Sequence, residues 1–185
     1  MTYFLHTERI RMRAIAAVDA MILYSLDQDP EVLRHIGRKP PTLEHVTERT
    51  IPALHSMYEK TPGLGFWIAE DRETDESLGW FHLKASDEEG VAEIGYRLKR
   101  SAWGKGFATE GSLALIRYGF EEQNLDAITA IASVDNEASR HVLEKCGLVW
   151  EQDLPYHDAV MKRQEMPALT TACYRLRAAD WVSPT

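Results

Sequence analysis

The stretch Trp103-Gly104-Lys105-Gly106-Phe107-Ala108-Thr109-Glu110 joins two different hydrophobic periodicities. Residues 93–98 before it alternate as in a strand, whereas Leu113, Ile116 and Phe120 after it recur at helical spacing. Two glycines lie in the turn between them. A strand that turns through glycines into a helix leaves backbone N–H groups unpaired at the helix start, where phosphate oxygens bind. The stretch therefore predicts an anion-binding turn.

Two common phosphate motifs do not fit this turn. Lys105 is followed by Gly106 rather than by Ser or Thr, which excludes a P-loop. The third glycine of a dinucleotide fingerprint is also absent. By itself the turn is more readily explained as structural, because glycine is the usual residue of tight turns.

Composition restricts the classes of function. The 185 residues suit one domain, and 21 basic against 29 acidic residues give a net charge of −8, which argues against a nucleic-acid partner. This acidity would suit a cationic substrate. Cys146 and Cys173 form no disulfide framework or zinc spacing, so no metal is expected. No signal peptide or apolar run of ~18–20 residues is present, so we expect a cytoplasmic protein without a membrane partner.

The order of predicted elements indicates a mixed α/β sheet of about seven strands, mostly antiparallel, with helices on both faces. The unit from Val91 to Ser133 reads as strand, helix and strand, which indicates a parallel crossover. The first helix should bury Val18, Met21, Ile22 and Leu26. Strands are predicted at 8–13, 65–70, 77–84, 91–98, 127–133, 148–152 and 170–178, and helices at about 17–26, 30–33, 42–57, 107–120 and 136–146.

A second motif, Asn136-Glu137-Ala138-Ser139, opens the helix after the next strand. Residues 96–120 and 136–148 together resemble the two core motifs of the GNAT superfamily, the acetyl-CoA-dependent N-acetyltransferases. Residues 7–13, 93–96 and 174–176 resemble the RimJ/RimL-like branch, which includes ribosomal-protein N-terminal acetyltransferases. The resemblance covers nearly the whole chain and identifies residues 1–185 as a single GNAT domain.

The resemblance implies a GNAT fold in which the fourth and fifth predicted strands splay apart and acetyl-CoA, as co-substrate, lies between them. Main-chain contacts to pantetheine would come from Tyr96 and Leu98. The family's pyrophosphate signature begins with Gln or Arg where this chain has Trp103, so backbone amides must hold most of the pyrophosphate. The residues implied to bind acetyl-CoA are Tyr96, Leu98, Arg100, Trp103, Gly104, Lys105, Gly106, Phe107, Ala108, Thr109, Asn136 and Ser139, with Arg100 or Lys105 supplying charge.

Three side chains are candidates for catalysis. Glu93 is the first choice for general base, although an ion-paired glutamate on a half-exposed strand explains it equally. His82 is a second base or a lining residue of the amine pocket, with a packed strand histidine as the alternative. Ser139 is expected to hydrogen-bond the CoA sulfur as it leaves, and Asn136 both to cap its helix and to contact pantetheine.

The acceptor is the least constrained part of the prediction. The helices between Ala17 and Lys60 and the loop from Asp153 to Pro167 should form the walls of the site on the side where the acceptor binds. The resemblance favours a protein N-terminus as acceptor, with a polyamine or an aminoglycoside as alternatives. A non-catalytic acyl-CoA-binding module is the alternative to an enzyme. The chain could be a monomer or a homodimer. The residues predicted to line the acceptor are His35, Trp67, His157 and Asp158.

Overall fold

The computed structural model describes residues 2–36, 39–155 and 170–183. The predicted order of strands and helices is confirmed. The strands are β1 (Leu5–His6), β2 (Ile10–Ala14), β3 (Gly65–Asp71), β4 (Ser77–Ala85), β5 (Val91–Leu98), β6 (Ala127–Ser133), β7 (Val149–Pro155) and β8 (Thr170–Arg177). The helices are α1 (Ala20–Gln28), α2 (Pro30–Leu33), α3 (Leu43–His45), α4 (Ile51–Lys60), α5 (Phe107–Glu121) and α6 (Glu137–Lys145).

All of these strands belong to one sheet in the order β1-β2-β3-β4-β5-β6-β8-β7. The pair β5–β6 is parallel, and the other pairs among the described strands are antiparallel. The eighth strand is β1, which pairs Leu5 with Met12 and was not predicted. The mixed, mostly antiparallel sheet predicted from the sequence is therefore confirmed, with one short strand more.

Helices cover both faces of the sheet. On one face, α5 packs on a core that includes Phe81, Leu83 and Ile94. On the other face, Leu23 of α1 and Leu54 of α4 form a separate cluster. Because side chains alternate along a strand, successive residues of β4 and β5 point their side chains to opposite faces of the sheet. No helix of the described residues is long and apolar enough to cross a membrane.

The first helix is rotated relative to its predicted orientation. Leu26 is buried as expected, but Val18 is 72% exposed and Met21 is 56% exposed, so the prediction for these two residues was wrong. The reason lies just before the helix, where Asp19 is buried and bound to Arg13 of β2. This ion pair, invisible to a hydrophobic pattern, fixes which side of α1 faces the sheet.

The predicted long helix from Thr42 is interrupted. Thr42 caps its start, since Thr42 Oγ1 accepts the N–H of His45 at 3.1 Å. A π-helical turn over Val46–Thr50 then separates α3 from α4, and Pro52 follows at the start of α4. Proline has no N–H to continue the regular ladder, so the helix widens by one residue just before it.

A buried ionic cluster fastens β2 to β3 and to the start of α1. Two guanidinium nitrogens of Arg13 donate to the carboxylate of Asp19 at 2.7 and 2.8 Å. The Nε of Arg13 donates to Glu70 of β3 at 2.8 Å, and the N–H of Ala16 donates to Asp19 at 2.8 Å. Asp19 is 1% exposed. Removing its charge would leave Arg13 buried without its strongest partner.

We expect Asp19→Asn to lower the free energy of unfolding by about 3 kcal/mol, the usual consequence of breaking a buried ion pair. Urea unfolding followed by circular dichroism measures this change. Asp75→Asn is the matched control, because Asp75 also pairs with an arginine, Arg11 at 2.6 Å, but has a side chain that is 73% exposed. It should cost less than about 1 kcal/mol. Equal losses for both variants would contradict the structural role of the cluster.

Candidate functional site

The sheet opens into a cleft between β5 and β6. The last rung of their parallel ladder joins Glu93 to Thr129. Beyond it, β5 continues to Leu98 and stays paired with β4, while β6 continues to Ser133 and stays paired with β8. Each strand therefore stays paired with its other neighbour, while the edges that β5 and β6 turn toward each other separate. The splay expected between the fourth and fifth predicted strands is present at these two strands.

The backbone groups that face this cleft follow from the ladder between β4 and β5. The N–H of Ser86 donates to the carbonyl of Val91 at 3.0 Å, and the N–H of Lys99 donates to the carbonyl of Leu78 at 2.8 Å. Antiparallel pairing alternates, so the odd-numbered residues of β5 bond to β4 and the even-numbered residues point their N–H and C=O groups the other way. Tyr96 thus turns its backbone polar groups toward the cleft.

The helix that follows begins without a side-chain cap. Gly104 and Gly106 have φ angles of 71° and 82°, in the left-handed region that favours glycine. Gly106 is the N-cap residue, and its carbonyl accepts the N–H of Glu110 at 3.0 Å as the first bond of α5. The amides of Phe107, Ala108 and Thr109 precede that bond and so have no carbonyl partner within the helix. The glycine turn expected from the sequence is thus present and lies next to these amides at the start of α5.

Arg9 anchors this turn and was not predicted. Its Nη1 donates to the carbonyl of Lys105 at 2.9 Å, its guanidinium lies 4.7 Å from the ring centre of Phe107, and its Nη2 lies 2.6 Å from Glu110. Glu110 also accepts the hydroxyl of Thr7 at 2.5 Å. About a hundred residues of sequence separate these partners, so no local pattern could reveal them.

The other predicted charge partner points elsewhere. Arg100 Nε lies 3.8 Å from Asp29, on the side of α1 and α2, and 57% of the arginine side chain is exposed. In this arrangement the guanidinium lies near the carboxylate that begins α2. Arg9 lies at the glycine turn, but its charge is paired with Glu110, so its contacts hold the turn in place.

Trp103 has a structural reason to replace the Gln or Arg of the family signature. Its indole Nε1 donates to the carbonyl of Leu98 at 2.9 Å. Leu98 is an even-numbered residue at the end of β5, so this carbonyl lies on the side that β6 has left. The indole thereby satisfies a strand-end acceptor and leaves the turn itself to backbone amides.

The second motif reaches the same cleft. Asn136 caps α6 by accepting the N–H of Ser139 at 3.1 Å, as predicted from its sequence position. The hydroxyl of Tyr96 donates to Ser139 Oγ at 3.4 Å. Burial raises the pKa of Tyr96, and the hydrogen bond with Ser139 only partly opposes it. Strand β5 and helix α6 thus bring two protonated hydroxyl groups together.

Glu93 and His82 lie on the opposite face of the sheet from Tyr96. Glu93 Oε1 is 2.8 Å from Lys84 Nζ and 3.4 Å from His82 Nε2. The imidazole lies over the backbone of Gly95, because a Cβ at that glycine would come within 2.6 Å of His82 Cε1. His82 is 8% exposed, and neither of its ring nitrogens makes a well-formed hydrogen bond within the described residues.

The charge states in this group follow from burial and neighbours. Burial lowers the pKa of His82, the cations Lys84 and Arg97 add to that effect, and Glu93 opposes it. Burial would by itself raise the pKa of Glu93, but the contacts with His82 and Lys84 outweigh it and lower the pKa to about 2. At neutral pH Glu93 is therefore a carboxylate and His82 a neutral imidazole.

The predicted acceptor residues have different outcomes. Trp67 is 3% exposed and stacks on Phe4 at 4.5 Å in the core under α5, so it has no surface to offer a substrate and the prediction was wrong. His35 lies half-buried in the turn after α2. His157 and Asp158 lie outside the described residues.

Cys146 is packed rather than reactive. The residue is buried at the C-terminal end of α6, and burial raises the pKa of its thiol to about 12. Thiolates, not thiols, are the nucleophiles of cysteine enzymes. Cys146 therefore contributes to the packing of α6.

A family model described as "Acetyltransferase (GNAT) domain" matches residues 9–149. The chain belongs to this family. It is an acetyl-CoA-dependent N-acetyltransferase, which confirms the identification made from the two sequence motifs, and acetyl-CoA is the donor that GNAT enzymes use.

Individual relatives agree with this assignment. The chain is 36% identical over 140 residues to the uncharacterised N-acetyltransferase p20 of Bacillus licheniformis, covering 75% of this chain and 78% of that protein. A spermidine N-acetyltransferase from Vibrio cholerae, solved with CoA and spermine, superposes with a TM-score of 0.75 at 18% identity over 94% of this chain and 98% of the other. A Vibrio cholerae protein described as a "putative ribosomal-protein-serine acetyltransferase" gives 0.76 at 19% identity over 95% and 97%. At 18% and 19% identity, the two structures establish the shared fold.

We expect Gly106→Ala to weaken CoA binding by at least about tenfold, or about 1.4 kcal/mol. An alanine in this left-handed conformation adds about 1–2 kcal/mol of backbone strain. The loop relieves the strain by changing its conformation, so its amide N–H groups no longer point toward one anion. Isothermal titration with CoA measures the affinity.

Gly147→Ala is the matched control for this prediction. Gly147 has a similar φ of 86° at the end of α6, and a Cβ there would meet only Leu176, at 3.9 Å. It should lower stability by a similar amount and leave CoA affinity unchanged. An unaltered affinity in Gly106→Ala would show that the glycine turn does not bind the nucleotide.

Proposed function

We propose that this enzyme transfers the acetyl group of acetyl-CoA to a primary amine, with a protein or peptide N-terminus as the favoured acceptor, by direct attack in a ternary complex. The observation that carries the proposal is the cleft between β5 and β6, which has main-chain polar groups along one wall and the uncapped start of α5 at its mouth. A pantetheine arm needs amide partners and a pyrophosphate needs converging N–H groups, and the cleft offers both.

The donor would lie along the cleft with its pyrophosphate at the glycine turn. The amides of Phe107, Ala108 and Thr109 and the positive end of the α5 dipole favour a dianionic group there. The pantetheine amides would bond to the even-numbered backbone of β5 at Tyr96 and to Asn136. A backbone N–H of the same strand is then placed to stabilise the developing oxyanion of the thioester carbonyl.

The acceptor would enter from the other face of the sheet, where His82 and Glu93 lie. The amine lone pair forms the new N–C bond, the C–S bond breaks, and its electron pair leaves with the sulfur. The proton lost by the nitrogen passes to the His82–Glu93 pair and from there to solvent. No residue of the chain needs to be acylated, which agrees with the high pKa of Cys146.

Ser139 is the candidate proton donor to the departing sulfur. Because Tyr96 donates its own hydroxyl proton to Ser139 Oγ, the serine proton is free to point at another acceptor. Proton transfer from Ser139 to the thiolate would be followed by transfer from Tyr96 to the serine, and solvent would restore the tyrosine. The products are the acetylated amine and CoA with a protonated thiol.

A turnover assay tests the proposal. Free thiol release from acetyl-CoA would be followed with peptides that bear free N-termini, with spermidine and with an aminoglycoside. We expect turnover with the peptides at CoA concentrations that saturate binding. CoA binding without turnover of any amine would contradict the proposal and favour a non-catalytic acyl-CoA-binding module.

We expect Ser139→Ala to lower kcat by roughly a hundredfold, the lower end of the effect of a general acid. The affinity for CoA should stay nearly unchanged, because the cap of α6 uses the backbone N–H of residue 139 rather than its side chain. Stopped-flow thiol release and titration with CoA separate the two quantities.

Ser86→Ala removes a hydroxyl from the β4–β5 turn and should keep the wild-type kcat. If Ser139→Ala also keeps kcat within about twofold of wild type, the serine is not the proton donor.

A further inference from the structure

Lys84 occupies the position from which a charged amine would approach Glu93. The two residues are directly opposite each other in the β4–β5 ladder, and Lys84 Nζ lies 2.8 Å from Glu93 Oε1. His82 Nε2 approaches the same oxygen. Glu93 belongs to the last residue pair of the β5–β6 ladder, just before the cleft opens. Its carboxylate therefore lies at the closed end of the cleft, where acetyl-CoA and the amine would meet.

We infer that Lys84 is a specificity-determining residue, which masks Glu93 and restricts the acceptor to amines that arrive uncharged, such as the α-amino group of a peptide. This inference rests on the proposed function. Its physical basis is that Lys84 already supplies the ammonium that the carboxylate would otherwise take from a lysine side chain or a polyamine.

The other charges on this face reinforce the exclusion of cations. Arg97, on the same face of β5, pairs with Asp27 of α1 at 2.5 Å and lies 5.0 Å from the ring centre of Trp80. Lys84 and Arg97 thus stand on either side of His82, while Glu93 and Asp27 are each engaged by one of them. A second ammonium entering this group would meet two cations whose carboxylates are already paired. A neutral amine meets no such repulsion.

The fraction of amine that is uncharged at a given pH differs greatly between the classes of acceptor. At pH 7.5 an α-amino group of pKa ~8 is about one quarter neutral, whereas a lysine-type amine of pKa ~10.4 is neutral in only about one molecule per thousand. An enzyme that binds the charged amine can use the whole population and deprotonate it in the site. An enzyme that admits only the neutral form favours the α-amine by about 200-fold from this difference.

The test compares two peptides of one sequence. The first has a free N-terminus and norleucine in place of its single lysine, and the second has an acetylated N-terminus and the lysine. The ratio of their kcat/KM values is measured for the wild type and for Lys84→Met, which keeps the length and apolar stem of the side chain. Spermidine serves as a third acceptor.

We expect the wild type to prefer the α-amine, and Lys84→Met to raise the relative kcat/KM of the ε-amine and of spermidine by about tenfold. Lys84→Arg, which keeps the charge, should keep the wild-type ratio. The double variant Lys84→Met with Glu93→Gln should lose the gain, because it no longer has a carboxylate to bind the cation. Lys60→Met, with the same change of charge at the exposed end of α4, should have no effect.

Two results would overturn the inference while acetyl transfer itself is intact. One is a wild type that prefers the ε-amine or spermidine. The other is a Lys84→Met enzyme that is active with an unchanged ratio, which would leave Lys84 as a purely structural cross-strand partner. A wild type that turns over no amine would instead refute the proposed function.

Discussion

The parting of β5 from β6 after the Glu93–Thr129 rung is the constraint on which the candidate site depends. A parallel ladder that continued would consume the backbone groups of both strands. Because β4 and β8 hold the outer sides, the two strands part without either losing its extended form. The backbone polar groups of Tyr96, beyond the last rung, are left facing the opening, where the amide groups of a ligand can pair with them.

The candidate catalytic groups on either side of the cleft belong to opposite faces of the sheet. Side chains of β5 alternate, so Tyr96 points toward α5 and α6 while Glu93 points toward α1. The Tyr96–Ser139 pair, proposed to protonate the leaving sulfur, and the His82–Glu93 pair, proposed to receive the amine proton, therefore lie on opposite faces of the sheet. The donor can lie along one side, the acceptor can approach from the other, and both meet where the sheet is open.

Ionic contacts between different parts of the fold hold this arrangement in place. Arg9 of the N-terminal part holds Lys105 and Glu110 on the glycine turn, and the Arg13–Asp19 pair sets the rotation of α1, whose Asp27 reaches Arg97 on the acceptor face. Each contact joins residues on different elements. Positions that the local pattern leaves undetermined, such as the direction of the turn amides and the exposed side of α1, are fixed by these contacts.

The sequence by itself determined the order of strands and helices, the glycine turn, the cap at Asn136 and membership of the GNAT family. These depend on local periodicity, on backbone preferences of glycine and on short motifs, all of which act within a few residues. Only the tertiary structure decided the rotation of α1, the burial of Trp67, the anchoring role of Arg9 and the pairing of Lys84 with Glu93. In each case the deciding contact joins residues of different parts of the fold, and no local pattern relates them.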